Sequence, residues 1–140
     1  MFEFTRPPEG AGELAALLDR SGAEYRREGN RFRFLFTSRG CRWQMVCDGQ
    51  EGLVLAYGIH PARITDPERA AVLCSELNRR LVEGSFFTQE GRFVLRTGCR
   101  LIEAVDAGER IARALEYNAA VMVANWERLS AGAGGRGFRT

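Results

Sequence analysis

Arg31-Phe32-Arg33-Phe34-Leu35-Phe36-Thr37 and, after Ser38-Arg39-Gly40, Cys41-Arg42-Trp43-Gln44-Met45-Val46-Cys47 together decide the fold. Phe32, Phe34 and Phe36 alternate with Arg31, Arg33 and Leu35. Cys41, Trp43, Met45 and Cys47 alternate in the same way with Arg42, Gln44 and Val46. Successive side chains of a strand point to opposite faces, so a period of two collects these large apolar groups on one side. The two runs predict neighbouring strands of a sheet with one apolar face.

Reading outward, Asp48-Gly49-Gln50-Glu51-Gly52 is a turn, and Leu53, Leu55, Tyr57 and Ile59 continue the period-two apolar pattern. Upstream, Ala23 to Glu28 is a short strand signal, and Gly29-Asn30 suits a tight hairpin turn. The result is a meander of four strands. Before it, Glu13 to Asp19 has helical spacing, with Leu14, Leu17 and Leu18 on one face and Ser21-Gly22 as the stop.

After the meander, Thr65-Asp66-Pro67-Glu68 has the chemistry of a helix start: a capping residue, Pro at the first turn and an acidic group near the positive dipole end. Ala70, Leu73, Cys74, Leu77 and Leu81 recur at three- and four-residue spacing, which predicts a helix from Asp66 to Glu83 closed by Gly84. Phe86-Phe87, the turn Gln89-Glu90-Gly91, and Phe93-Val94-Leu95 read as a second hairpin. Asp106 and Glu109 form a capping-box pattern opening a final helix to Leu129, with Ile111, Leu115, Asn118, Ala119, Met122 and Trp126 on its stripe. Residues 1–130 read as a single domain and 131–140 as a disordered glycine-rich tail. The order α–β–β–β–β–α–β–β–α places the chain in the α+β class, with helices packed on an antiparallel sheet.

That order, with Ser75-Glu76-Leu77-Asn78-Arg79-Arg80-Leu81-Val82-Glu83-Gly84-Ser85-Phe86-Phe87 and the hairpin Thr88-Gln89-Glu90-Gly91-Arg92-Phe93-Val94-Leu95-Arg96, resembles the YbjN family. These are bacterial proteins regarded as sensory-transduction regulators, with a fold shared with type III secretion chaperones. The resemblance spans about Glu13 to Leu129 and is most specific from Asp66 to Arg96. It implies a homodimer that binds peptide or protein segments without catalysis. Four strand signals precede the central helix where the family pattern has three, so Ala23 to Glu28 is either irregular or an added edge strand.

Composition excludes several other classes. The chain has 140 residues, of which 45% are hydrophobic and 27% charged, ordinary values for a globular domain with its own core. The net charge of +2 creates no global attraction to nucleic acid or membranes. All basic side chains are Arg, spread along the chain among Asp and Glu, a pattern expected from codon usage in a GC-rich genome. No secretory leader or bilayer-length apolar run is visible, and the default location is cytoplasmic. Cys41, Cys47, Cys74 and Cys99 form no CxxC pair; Cys41 and Cys47 would lie about 20 Å apart on a straight strand, so buried thiols are expected and no metal site.

No catalytic or cofactor-binding residues emerge. His60, the only histidine, reads as a surface loop residue without an evident partner. Asp66, Glu68, Asp106 and Glu109 fall at helix starts, where capping explains them. Asn78 and Asn118 place amides on or beside apolar stripes and are expected to bond backbone, because an unpaired buried amide costs about 1–3 kcal/mol. The leading function is a non-enzymatic, chaperone-like or regulatory module that binds a protein partner in an apolar groove or at a free sheet edge. Val72, Leu73, Leu77, Val82, Phe86 and Val94 are the candidate dimer or partner contacts. Two alternatives are an enzyme or ligand-binding pocket using Asp48 and His60, and nucleic-acid binding through Arg31, Arg33, Arg42 and Arg92.

Overall fold

Strand β1 (Arg26–Glu28), β2 (Arg31–Ser38), β3 (Cys41–Gln50), β4 (Leu53–Ile59), β5 (Ser85–Gln89) and β6 (Arg92–Arg100) form one six-stranded sheet in a computed structural model describing residues 6–134. The strand order is β1-β2-β3-β4-β6-β5, with every pairing antiparallel. Helices α1 (Gly10–Arg20), α2 (Pro67–Asn78), α3 (Ala107–Ala124) and α4 (Trp126–Gly132) surround it, giving the α+β architecture expected from the alternation. Ala23 to Glu28 resolves into a three-residue edge strand, so the sheet has the added strand and not an irregular lead-in.

Phe32, Phe34, Trp43, Met45 and Cys47 all face the helices, as their period-two spacing predicts. Phe32, Met45 and Cys47 pack with Leu14 and Leu18 of α1 and Ile111 and Leu115 of α3. Trp43, Phe86, Phe93 and Leu95 pack with Leu73, Cys74 and Leu77 of α2 and Leu129 of α4. All helices therefore lie on one face of the sheet. The buried amide of Asn118 ties α3 to this face, its Nδ2 donating to Leu95 O at 3.2 Å and to Thr97 Oγ1 at 3.0 Å. Gly58 permits that approach, since a Cβ there would lie 2.7 Å from Asn118 Oδ1.

Strand β4 reverses one expectation. Val54, Ala56 and Gly58 face the core, whereas Leu55, Tyr57 and Ile59 face away from the helices. Pairing decides this: Cys47 lies opposite Ala56, and Val46 opposite Tyr57. Residues directly opposite in adjacent strands share a face, so the orientation of β3 dictates that of β4.

The helices also differ from the sequence reading. Asp66 caps α2 as expected, accepting from the Arg69 N–H at 3.2 Å, with Pro67 at the first position. The helix stops at Asn78, well before Glu83, because the Asn78 amide turns to the backbone of Phe86. Asp106 makes no capping bond, and the capping box with Glu109 is not formed. A 3-10 turn over Ala104–Asp106 gives Asp106 φ −114° and ψ 11°, far from the extended backbone of a capping residue, and Glu109 pairs with Arg113 instead.

The final helix is broken at Asn125, whose Nδ2 donates to Val121 O at 2.9 Å. A side chain inserted into the ladder in this way redirects a helix. The redirection brings α4 against α2, and residues 131–134 of the expected tail form the end of α4 and the turn after it. Gly132 and Ala133 are buried, and Ala133 O accepts from the Thr65 N–H at 2.8 Å and from Thr65 Oγ1 at 3.0 Å. Residues 135–140 of the expected tail, including the Arg136-Gly137-Phe138-Arg139 end, lie outside the described residues.

Candidate functional site

The register lays out the helix-free face row by row. Arg33, Val46, Tyr57 and Arg96 occupy successive positions from β2 to β6, with Arg26 of β1 beyond Arg33. The next row runs Leu35, Gln44, Ile59, Val94 and Phe87. Leu35, Gln44, Val46, Tyr57, Ile59 and Val94 of these rows floor a trough of about 880 Å³ whose lining includes Arg31, Arg33, Arg42 and Arg92. At its centre Leu35 is 58% exposed, while Val46 and Val94 are 8% and 4% exposed although no helix covers them. Their row neighbours, Arg33 and Tyr57 beside Val46, Ile59 and Phe87 beside Val94, are long enough to lie over short branched side chains.

The four arginines named from the sequence as a nucleic-acid set are thus brought to one surface. Among the described residues, the ion pairs are Arg6–Glu51, Arg113–Glu109 and Arg128–Glu76, so none of the trough arginines is neutralised within 4 Å. The acids on this face are few. Glu90 lines the trough, and Asp48 and Glu28 flank Arg31 in the row at one end.

The six residues proposed as dimer or partner contacts do not share a surface. Leu73, Leu77 and Phe86 are 8%, 4% and 2% exposed in the intramolecular core. Val94 is on the opposite face of the sheet, inside the trough. Val72 and Val82 are exposed, at 58% and 96%. Of the α2 residues in this set, Leu73 packs on α4 as well as on the sheet. Gly132 approaches so closely that a Cβ would lie 2.3 Å from Leu73 Cδ2.

His60 is buried at 1% exposure, contrary to the surface reading. Its Nδ1 accepts from the Ala62 N–H at 3.1 Å, so the neutral ring carries its proton on Nε2, which faces Ser130 Oγ at 3.3 Å. The ring lies 4.3 Å from that of Trp126. Burial lowers its pKa to about 4, with a backbone contact from Trp126 partly opposing. His60 and Asp48 do not converge: Asp48 pairs with Leu55, about 16 Å along the strand from His60, and faces the other side of the sheet. This removes the pocket built on those two residues.

All four cysteines are free thiols. Burial drives the Cys47 thiol up to about 12, the opposite of the shift that activates a nucleophile. Among the described residues no three of His, Cys, Asp and Glu gather as a metal site, and no helix is long and apolar enough to cross a membrane.

Asn78 decides what the sheet edge can do. Its Nδ2 donates to Phe86 O at 2.9 Å and its Oδ1 accepts from the Phe86 N–H at 2.7 Å. Phe86 lies opposite Leu95 on edge strand β5, so both bonds use the outward-facing backbone groups that an added strand would need. The other edge, β1, is only three residues long.

Among solved structures, the fold is similar to that of YbjN from E. coli, described as a candidate transcription regulator. The TM-score is 0.61, with 16% identity over 86% of this chain and 94% of that one. At this identity the likeness establishes a shared fold, in agreement with the resemblance carried by residues 66–96. No family model matches the chain, and no curated protein matches it significantly.

Proposed function

We propose that this protein is a non-enzymatic regulatory or interaction module that holds a segment of a partner protein against the helix-free face of its sheet. One observation carries the reading: on the face that no helix covers, Leu35 of β2 is 58% exposed and half-buried Tyr57 and Ile59 of β4 line the same trough, while every helix packs on the other side. Soluble monomers seldom leave a contiguous apolar surface uncovered unless something binds there. Strand addition is the less favoured mode, because Asn78 occupies the outward backbone groups of Phe86 on β5 and β1 is only three residues long. The separation of His60 from Asp48 and the high pKa of Cys47 support a role without covalent chemistry.

The test is photo-crosslinking in the native host from a benzophenone residue at Leu35, with Val105, exposed in the turn before α3, as the control position. A discrete protein adduct from Leu35 and none from Val105 is expected. Equal labelling from both positions, or adducts only from Val105, would reject the face as the binding surface.

A further inference from the structure

We infer that the occupant of the trough is an acidic segment of another protein with interspersed apolar side chains, rather than a nucleic acid or a second copy of this chain. The inference rests on the proposed protein-binding reading and adds the chemistry of the partner.

Charge complementarity carries it. Arg31, Arg33, Arg42 and Arg92 line the trough with one acid, Glu90, while Glu28 and Asp48 lie opposite Arg31 at one end and leave Arg33, Arg42 and Arg92 without an acidic cross-strand neighbour. Arg26 and Arg96 extend the central row at either end. None of these arginines is paired with a carboxylate among the described residues. Arg26 lies directly opposite Arg33, a like-charge neighbour pair that costs stability and is relieved by a bound anion. The guanidinium forks match carboxylates in two-point geometry.

The floor between the arginines separates the anions. Single-stranded nucleic acid is held by stacking of bases on exposed aromatic rings. Here the most exposed floor residue is Leu35, with Gln44, Ile59 and Val94 following it along the row, and Tyr57 is half-buried. An aliphatic floor takes apolar side chains, and the arginine rim takes the carboxylates between them. A second copy of the same face would bring arginine rim against arginine rim, so self-association is opposed by the feature that attracts an acidic partner.

The experiment uses the full chain, labelled with 15N, and three probes of equal length: a peptide mixing Leu and Glu, a Glu-only peptide, and single-stranded DNA. The mixed peptide is expected to bind saturably, shifting the amides of Val46, Tyr57, Ile59 and Val94. The Glu-only peptide and the DNA should each bind about tenfold more weakly, one decade in Kd. Arg33→Glu/Arg42→Glu should weaken the mixed peptide by at least about tenfold, whereas Arg79→Glu, exposed at the end of α2, should not. Circular dichroism of each variant separates lost binding from lost fold.

Four results would overturn the inference: DNA binding more tightly than the mixed peptide, peptide affinity unchanged in the double variant, shifts confined to the helical side, or no saturable binding. A fifth is self-association mapped to the trough by sedimentation equilibrium. If Leu35 crosslinks a protein while peptide binding ignores charge, the acidic chemistry is wrong and the protein-binding reading stands.

Discussion

Asn78 and Phe86 are joined by two hydrogen bonds, 2.9 Å from Nδ2 to the Phe86 carbonyl and 2.7 Å from the Phe86 N–H to Oδ1. One side-chain amide therefore imitates the peptide group of a neighbouring strand. It ends α2 and satisfies the outward backbone groups of Phe86 near the start of β5. Exposed strand edges template pairing with other chains, so this contact protects the fold from association as well as holding two elements together.

Asn78→Ala is expected to cost about 1–3 kcal/mol in urea denaturation, since two backbone groups lose their partner. It should also raise light scattering at high concentration, as β5 becomes a free edge. Asn78→Asp keeps the acceptor and loses the donor, and an intermediate cost is expected. Full stability in the alanine variant would show that water replaces the amide without penalty.

Gly132 and Leu73 form the contact that seats α4 on α2. Gly132→Ala gains helix propensity of up to about 1 kcal/mol, but the new Cβ would lie 2.3 Å from Leu73 Cδ2. Overpacking costs about 1–3 kcal/mol, so net destabilisation is expected. Leu73→Ala opens space at the same point. The double variant should therefore be more stable than the sum of the single changes, which a double-mutant cycle measures.

His60 makes stability depend on pH. Its folded pKa is about 4 and its ordinary value 6.5, so between those values the unfolded chain binds a proton that the folded chain refuses. Stability is therefore full above pH 6.5 and falls progressively as pH drops towards 4. The loss amounts to about 3 kcal/mol over that window. His60→Gln, neutral throughout, should abolish this component of the slope in urea titrations at stepped pH. An unchanged slope would assign it to other groups.

Cys47 is fully buried with its thiol raised to about 12, and Cys74 is buried in the α2 core, its thiol raised by the same cause. In the native protein at pH 8 a disulfide reagent should modify Cys41 first and partly buried Cys99 more slowly, because burial raises its thiol too, and spare Cys47 and Cys74 until denaturant is added. Prompt reaction of all four would mean that the core opens on the timescale of the assay.

Local patterning along the chain specifies most of the strands and helices, and the inward orientation of β2 and β3. Phe32 sits between Arg31 and Arg33 and Trp43 between Arg42 and Gln44, so the face of β2 and β3 that carries the large aromatics goes inward. The Asp66-Pro67 start of α2 was equally local, a capping contact within one turn. Strand β4 had no such contrast: Leu53-Val54-Leu55-Ala56-Tyr57-Gly58-Ile59 is apolar on both faces, and a period of two leaves the choice of inner face open. Only pairing with β3 decided that Leu55, Tyr57 and Ile59 face outward. The same pairing gathered Arg31, Arg33, Arg42 and Arg92 from distant positions around them. The stop at Asn78, the break at Asn125 and the burial of Gly132 and Ala133 depended likewise on partners remote in sequence or packed from another element. Local periodicity specifies an element and its parity, whereas the surface an element presents is set by what lies beside it in space.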